Sequence, residues 1–162
     1  TKLVEDATDG RGTTHVALVV AAQTTPWRNE DCPEYRATRV DPQEDLVPQF
    51  AAVRDATRAV GVPCIEKLGF EADDRIATYA RLAHEAGARV TIVSSDKDLM
   101  QLVNEQVDML DTMKMKTIAR DQVIEKFGVP PEKVVDVQAL AGDSTDNVPG
   151  VPGIGIKTAA QL

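Results

Sequence analysis

Aromatic side chains are scarce in this chain of 162 residues, at 4% of the total. That excludes extensive base stacking as its main way of recognising a ligand. Cysteine is as sparse. Cys32 and Cys64 are the only two, and they form no metal-ligand spacing, which excludes a zinc ribbon or a disulfide scaffold and suits free thiols in a reducing cytosol. The sequence carries no secretory signal and no apolar run of membrane-spanning length, so no membrane partner is expected. Positive charge is in deficit, with Lys+Arg 18 against Asp+Glu 26 and a net −8. This balance argues against a protein that coats nucleic acid through generic charge. It leaves room for a carboxylate site whose charge is neutralised by bound cations. Internal repeats and low-complexity tracts are missing too. What remains is a chain with 43% hydrophobic residues, enough to bury a core of its own.

Strand-like and helix-like segments alternate along it. His15–Val20 is a β-rich run, and the stretch from Ala21 to Pro48 is polar and interrupted by Pro26, Pro33, Pro42 and Pro48. An amphipathic helix is predicted from Val47 to Val60 and a short strand over 63–66. Ala72–Ala86 is a further helix, with Ile76, Tyr79, Ala80 and Ala83 on one face and Gly87 as its stop. Arg89–Val93 reads as a buried parallel strand, and Asp96 is placed to cap a short helix from Lys97 to Leu102. Short strands over 107–110 and 116–118 precede helices over 120–127 and 131–141, stopped by Gly128 and Gly142. The alternation predicts an α/β domain with a mostly parallel central sheet. It divides as a core over 1–119 and a helical region over 120–162.

Three acidic clusters stand out: Glu71-Ala72-Asp73-Asp74, Ser95-Asp96-Lys97-Asp98 and Gly142-Asp143-Ser144-Thr145-Asp146-Asn147. Any one of them alone is explained by capping, since helix N-termini favour acids through the macrodipole. Together they are not. Glu71, Asp73 and Asp74 crowd like charges more than a cap requires, and they repel unless a cation intervenes. Magnesium and manganese take hard oxygen ligands of this kind. Asp96 and Asp98 follow a strand directly, where sites form in open parallel sheets. Close behind the third cluster, Gly150-Val151-Pro152-Gly153-Ile154-Gly155-Ile156-Lys157 is a glycine turn opening a helix, which suits a phosphate. The combination points to metal-assisted phosphodiester hydrolysis. Without a cation, at least one of Asp96, Asp98, Asp143 and Asp146 is expected to titrate high.

From about Thr14 onward the chain resembles the 5′ nuclease domain at the N-terminus of bacterial DNA polymerase I, a relative of flap endonucleases with a PIN-like fold. The resemblance is carried by Gly69–Asp74, by Val93-Ser94-Ser95-Asp96-Lys97-Asp98-Leu99, by Ala141–Gly150 and by Gly153–Ala159. It implies a structure-specific 5′–3′ exonuclease and flap endonuclease of replication and repair, acting in the bacterial cytoplasm near the nucleoid. Two divalent cations, Mg²⁺ or Mn²⁺, are implied. Glu71, Asp73 and Asp74 would hold the first, and Asp96, Asp98, Asp143 and Asp146 the second. Gly153, Ile154 and Gly155 resemble the hairpin of a helix–hairpin–helix that grips duplex phosphates, with Lys157 beside it and a potassium ion position. Residues 27–50 resemble the helical arch that passes a 5′ strand. Arg28, Tyr35, Arg36 and Arg39 match its DNA-binding motif, Arg36 standing where the family usually has lysine. Arg36 and Lys97 are the candidate catalytic side chains, while Trp27 and Tyr35 are expected either to pack beneath the arch or to stack on a base, with packing the favoured reading.

The implied partners are DNA with a 5′ flap, nick or gap, an RNA primer, and a polymerase domain in the same full-length chain, which would act as a monomer. Two departures bear on activity. Ala21 stands where the family's strand ends in a metal-binding aspartate, and no counterpart of the opening strand is expected. Thr1–Glu5 resemble the end of the helix after that strand, and Asp6 and Asp9 lie at the wrong end of the next one. The alternative reading is therefore a catalytically impaired module that still grips branched DNA. A phosphatase of small molecules is disfavoured, because a small substrate needs neither arch nor hairpin.

Overall fold

The computed structural model describes Thr8, residues 12–22 and residues 25–162. Thr1–Glu5, Asp6 and Asp9 lie outside the described residues. Strand β1 is Leu18–Val19, shorter than the expected run, and pairs in parallel with β2, Cys64–Ile65. Between them lie α1, Arg28–Asp31, and α2, Val47–Ala59. Helix α3, Ala72–Glu85, leads to β3, Val90–Val93. A 3₁₀ helix over Lys97–Leu102 precedes β4, Val107–Asp111, and β5, Lys116–Ile118. Three helices close the chain: α4, Arg120–Phe127; α5, Val134–Ala141; and α6, Ile156–Ala159.

Strands β3 and β4 are parallel and β5 returns antiparallel along β4, forming a second sheet of three strands. Helix α3 packs on both β1 and β3 and so ties the two sheets together. The α/β class and the parallel central pairings are as expected. Several details differ. The proline-broken stretch still holds α1, which ends after a single turn at Cys32, whose extended backbone precedes Pro33. Residues 131–141 are not one α-helix: Pro131–Lys133 form a 3₁₀ turn that feeds α5. Strand β3 is buried at Ile92 only, since alternate side chains face opposite ways and Val93 lies on the exposed face. Tyr79 likewise points to solvent, leaving Ile76, Ala80 and Ala83 on the inner side of α3.

The core gathers Ala80, Ile92, Leu99, Met100, Met109, Ile118, Val123, Phe127, Val134, Val137 and Ala159. Strands β3–β5 and the closing helices therefore share one interior that runs across residue 119. Phe127 is 1% exposed and Gly128 follows it at φ +76°, the left-handed cap that stops α4. None of α1, α2, β1 or β2 contributes a buried side chain. Among the described residues, no helix is long and apolar enough to cross a membrane.

Candidate metal and nucleic-acid site

Glu71 caps α3 and is 6% exposed. Its backbone N–H donates to Asp74 Oδ2 at 3.0 Å, so the acids at this helix start do form a capping box. Asp96 caps the 3₁₀ helix, its Oδ1 accepting the Asp98 N–H at 3.0 Å. The third cluster sits on a tight loop. Asp143 and Val148 exchange backbone hydrogen bonds at 2.9 and 2.8 Å, which closes the loop with Asp146 and Asn147 at its tip, Asp146 being only 8% exposed. Two glycines make the closure possible. A Cβ on Gly150 would lie 2.4 Å from the Ala141 carbonyl carbon, and one on Gly142 would lie 2.4 Å from the Gly150 nitrogen.

Capping does not exhaust these acids, because the fold brings most of them to one place. An open cleft of about 470 Å³ is lined by Glu71, Asp73, Asp74, Asp98, Asp143 and Asp146, together with Arg28, Tyr35 and Arg36. Asp96 stands just outside the lining, yet its charge still reaches Asp73. The hairpin lies elsewhere. Gly153, Gly155 and Lys157 are exposed, whereas Ile154 packs its side chain on the core and can offer only its backbone outward.

Arch residues cover the acids. Arg28 forms a bidentate pair with Asp74 at 2.7 and 2.9 Å and reaches Glu71 Oε2 at 3.1 Å. Arg36 pairs with Glu71 Oε1 and donates from Nε to Asp146 Oδ1 at 3.1 Å. Arg39 reaches the same Asp146 oxygen at 2.6 Å. The Tyr35 hydroxyl lies 2.9 Å from Glu71 Oε2 and 3.2 Å from Asp146 Oδ2, so this ring is held by its polar end. Trp27 is 42% exposed, with the Arg28 guanidinium 4.8 Å from its ring centre. Trp27 is therefore exposed rather than packed, whereas Tyr35 is half-buried and lines the cleft. Lys97 meets Asp143 and lies 3.6 Å from Asp98 Oδ1.

Titration follows from these contacts. Burial alone would push Asp146 up, but Arg36 and Arg39 outweigh it and hold the carboxyl low. Asp143 is held low in the same manner, by Lys97 and the Thr145 amide against its burial. Asp73 behaves oppositely: burial raises it, and the charges of Asp96, Asp98 and Asp74 raise it further against Arg36. Asp143 and Asp146, two of the four acids among which a high titration was expected, are thus held low because cationic side chains reach the third cluster, while the carboxyl pushed up is Asp73 of the first cluster.

Two partners were not visible in the sequence. Gln138 on α5 donates to Asp98 Oδ1 at 2.6 Å, and Asn147 donates from its side chain to the Glu34 carbonyl at 2.8 Å. Gln138 lies on the α5 turn that leads into Gly142, which was the available signal. The donor set fits a hard divalent cation, being made of carboxylates, one of which is pushed up by burial and then by its like-charged neighbours. With arginines on Glu71, Asp74 and Asp146, no group of three or more His, Cys, Asp or Glu among the described residues is arranged to hold a metal.

A family profile described as "5'-3' exonuclease, N-terminal resolvase-like domain" matches residues 1–128, and one described as "5'-3' exonuclease, C-terminal SAM fold" matches residues 129–162. The chain belongs to the 5′–3′ exonuclease family. It is 58% identical over 99% of its length to DNA polymerase I of Rhizobium leguminosarum, of which it spans 16%. It is 37% identical over 91% of its length to the 5′–3′ exonuclease of Aquifex aeolicus, of which it spans 51%. The chain thus covers about half or less of these relatives. The fold is that of T5 5′-exonuclease with divalent zinc ions bound, at a TM-score of 0.84 and 23% identity over 99% of this chain and 63% of that one. A T5 flap endonuclease in a pseudo-enzyme-product complex with DNA and metal ions matches equally, at a TM-score of 0.84 and 23% identity over the same 99% and 63%. The PIN-like fold expected from the sequence is thereby established.

Proposed function

We propose that this member of the 5′–3′ exonuclease family is the nuclease part of a DNA polymerase I-like protein. It would hydrolyse DNA phosphodiesters at 5′ ends and 5′ flaps in replication and repair, with Mg²⁺ or Mn²⁺. The observation that carries this reading is the convergence of acids from three separate segments into one cleft beneath an arginine-bearing arch. Its family membership and the metal- and DNA-bound relatives support it.

Glu71, Asp73 and Asp74 would hold one cation, and Asp96, Asp98, Asp143 and Asp146 the other. Two cations in such a site supply an activated water and stabilise the leaving oxygen. The chain's own residues do the rest. Gln138 fixes the rotamer of Asp98, and Lys97 fixes Asp143 and neutralises part of its charge. Arg28, Tyr35, Arg36 and Arg39, once free of the acids, would meet strand phosphates and orient the 5′ end. Gly153, Ile154 and Gly155 would present backbone amides to a duplex phosphate, with Lys157 adding charge and potassium bridging protein and DNA. Nicked, gapped and primer-bearing duplexes are the expected substrates of a monomer in the bacterial cytoplasm, close to the nucleoid.

Ala21 favours a second reading, a module that grips branched DNA and cleaves it poorly. It stands exposed past the carboxyl end of β1, with its carbonyl taken by Arg54 at 3.1 Å, and it offers no carboxylate. A labelled 5′ flap incubated with Mg²⁺ separates the two, beside a binding assay in Ca²⁺. Cleavage lost in Asp74→Ala supports the enzyme. Tight binding in Ca²⁺ without cleavage in Mg²⁺ supports the module, and neither binding nor cleavage would refute both.

A further inference from the structure

Arch and cation have the same partners. Three guanidinium groups and one phenol occupy Glu71, Asp74 and Asp146, and two of these acids, Glu71 and Asp146, are at most 8% exposed. An oxygen already lying on a guanidinium cannot also face a magnesium ion at about 2.1 Å, because the two positive groups would be pressed together away from solvent. Backbone contacts fasten the same junction. The Arg36 N–H donates to the Asp146 carbonyl at 2.9 Å, and the Asn147 side chain holds the Glu34 carbonyl. Arg36 at φ 58° and Asn147 at φ 56° both sit in the left-handed region, on opposite sides of this contact. For arginine that region is unfavourable, and it persists only where surrounding contacts impose it.

We propose that residues 28–39 form a latch: their cationic side chains stand in for the divalent cations, so that latch closure and cation loading exclude one another. The inference rests on the cation-dependent reading above and adds an order to it. The cation-free chain is closed, loading releases the arch, and release frees Arg28, Arg36 and Arg39 for phosphates. An otherwise acidic protein thus exposes its DNA-binding charge only when the site is filled. The closed population also weakens the apparent cation affinity. If closed molecules outnumber open ones roughly tenfold, the apparent dissociation constant rises by about that factor.

The test uses the 162-residue chain and Mg²⁺ alone, without DNA. Calorimetry reads binding, and hydrogen exchange of peptides covering 33–40 reads the latch through the Arg36 amide. Trp27 is the only tryptophan and gives a second signal in the unmodified chain. Mg²⁺ is expected to speed exchange in 33–40 and shift Trp27 emission with the midpoint of the binding heat. The triple variant Arg28→Gln/Arg36→Gln/Arg39→Gln should exchange quickly without Mg²⁺ and bind Mg²⁺ roughly tenfold more tightly. Should that variant fail to fold, Arg39→Gln alone removes the most exposed of the three contacts, at 47%. It should tighten Mg²⁺ binding in the same direction by about two- to threefold. Binding heat with unchanged exchange in 33–40, or weaker binding by Arg39→Gln, overturns the latch while leaving the cation site standing. No heat at all overturns the cation reading, and the latch with it.

Discussion

Arg28 and Asp74, far apart in the chain, meet as a two-pronged pair at 2.7 and 2.9 Å, and this hydrogen bond is the main reason the guanidinium titrates above its ordinary value. The fork geometry of arginine makes the pair, and lysine cannot reproduce it. Arg28→Lys should therefore destabilise the cation-free chain by about 1–2 kcal/mol, since Asp74 and Glu71 lose a partner while remaining half-buried or deeper. Mg²⁺ should restore more stability to this variant than to the parent chain. Thermal melts with and without Mg²⁺ check both statements. Equal stability of the two chains without Mg²⁺ would mean the pair is spectator geometry.

Asp73 gives a pH dependence whose sign is fixed. Its carboxyl titrates above the usual aspartate range, first through burial and then through Asp96, so folding favours the protonated form. The stability it contributes is present below the ordinary aspartate value, near 4, and is lost as pH rises through the raised one. Without cations, Asp73→Asn should melt higher than the parent at pH 7, and the difference should shrink as pH falls towards that ordinary value. With Mg²⁺ at pH 7 the order should reverse, because the amide gives up a charged ligand. A pH-independent difference would remove Asp73 from the group of repelling acids.

Much of the scaffold was legible because local chemistry writes it. Helix α3 ends where Gly87 allows a left-handed turn at φ +79°, and it starts where Glu71 and Asp74 can cap it. Strand β5 has the bounds expected from the sequence, and β4 runs one residue further than expected, to Asp111. The site's acids were legible as three clusters, and their convergence followed from the resemblance. Pairings across the fold were not legible. No periodicity links Arg39 to Asp146 or Gln138 to Asp98, since each contact is made by tertiary packing between distant segments. Charge alone suggested that the arch arginines face solvent or phosphate, whereas in the fold they pair with the acids of the cleft.

Gly150 should prove irreplaceable for structural reasons. It adopts no left-handed conformation, but a Cβ there would lie 2.4 Å from the Ala141 carbonyl carbon and 2.5 Å from its oxygen. Backbone cannot yield as a flexible side chain does, so Gly150→Ala should cost at least about 2–3 kcal/mol. The loop it closes carries Asp143 and Asp146, and Mg²⁺ binding should weaken along with stability. Denaturant unfolding and calorimetry on the same preparation provide the check. An alanine variant of unchanged midpoint would contradict the close approach.

Gly155 offers the opposite case, a glycine that the fold does not need. Nothing lies within 4 Å of a Cβ built on it, and its φ of −97° suits any residue. Gly155→Ala should therefore leave stability within about 0.5 kcal/mol of the parent. Gly153 is less free, because its φ of +80° strains any side chain even though the space around it is open. If the hairpin presents its backbone to duplex phosphates, a larger residue at 155 should hold the DNA away while the fold stays intact. Gly155→Leu should weaken duplex binding severalfold and equally for different base sequences, since phosphate contacts carry no base information directly. Raising the salt concentration should weaken the parent in the same sequence-independent way. Fluorescence anisotropy with a flap and a base-scrambled copy of it, measured in Ca²⁺, reads all of this. A Gly155→Leu chain that melts like the parent and binds DNA as tightly would take the hairpin out of the DNA interface.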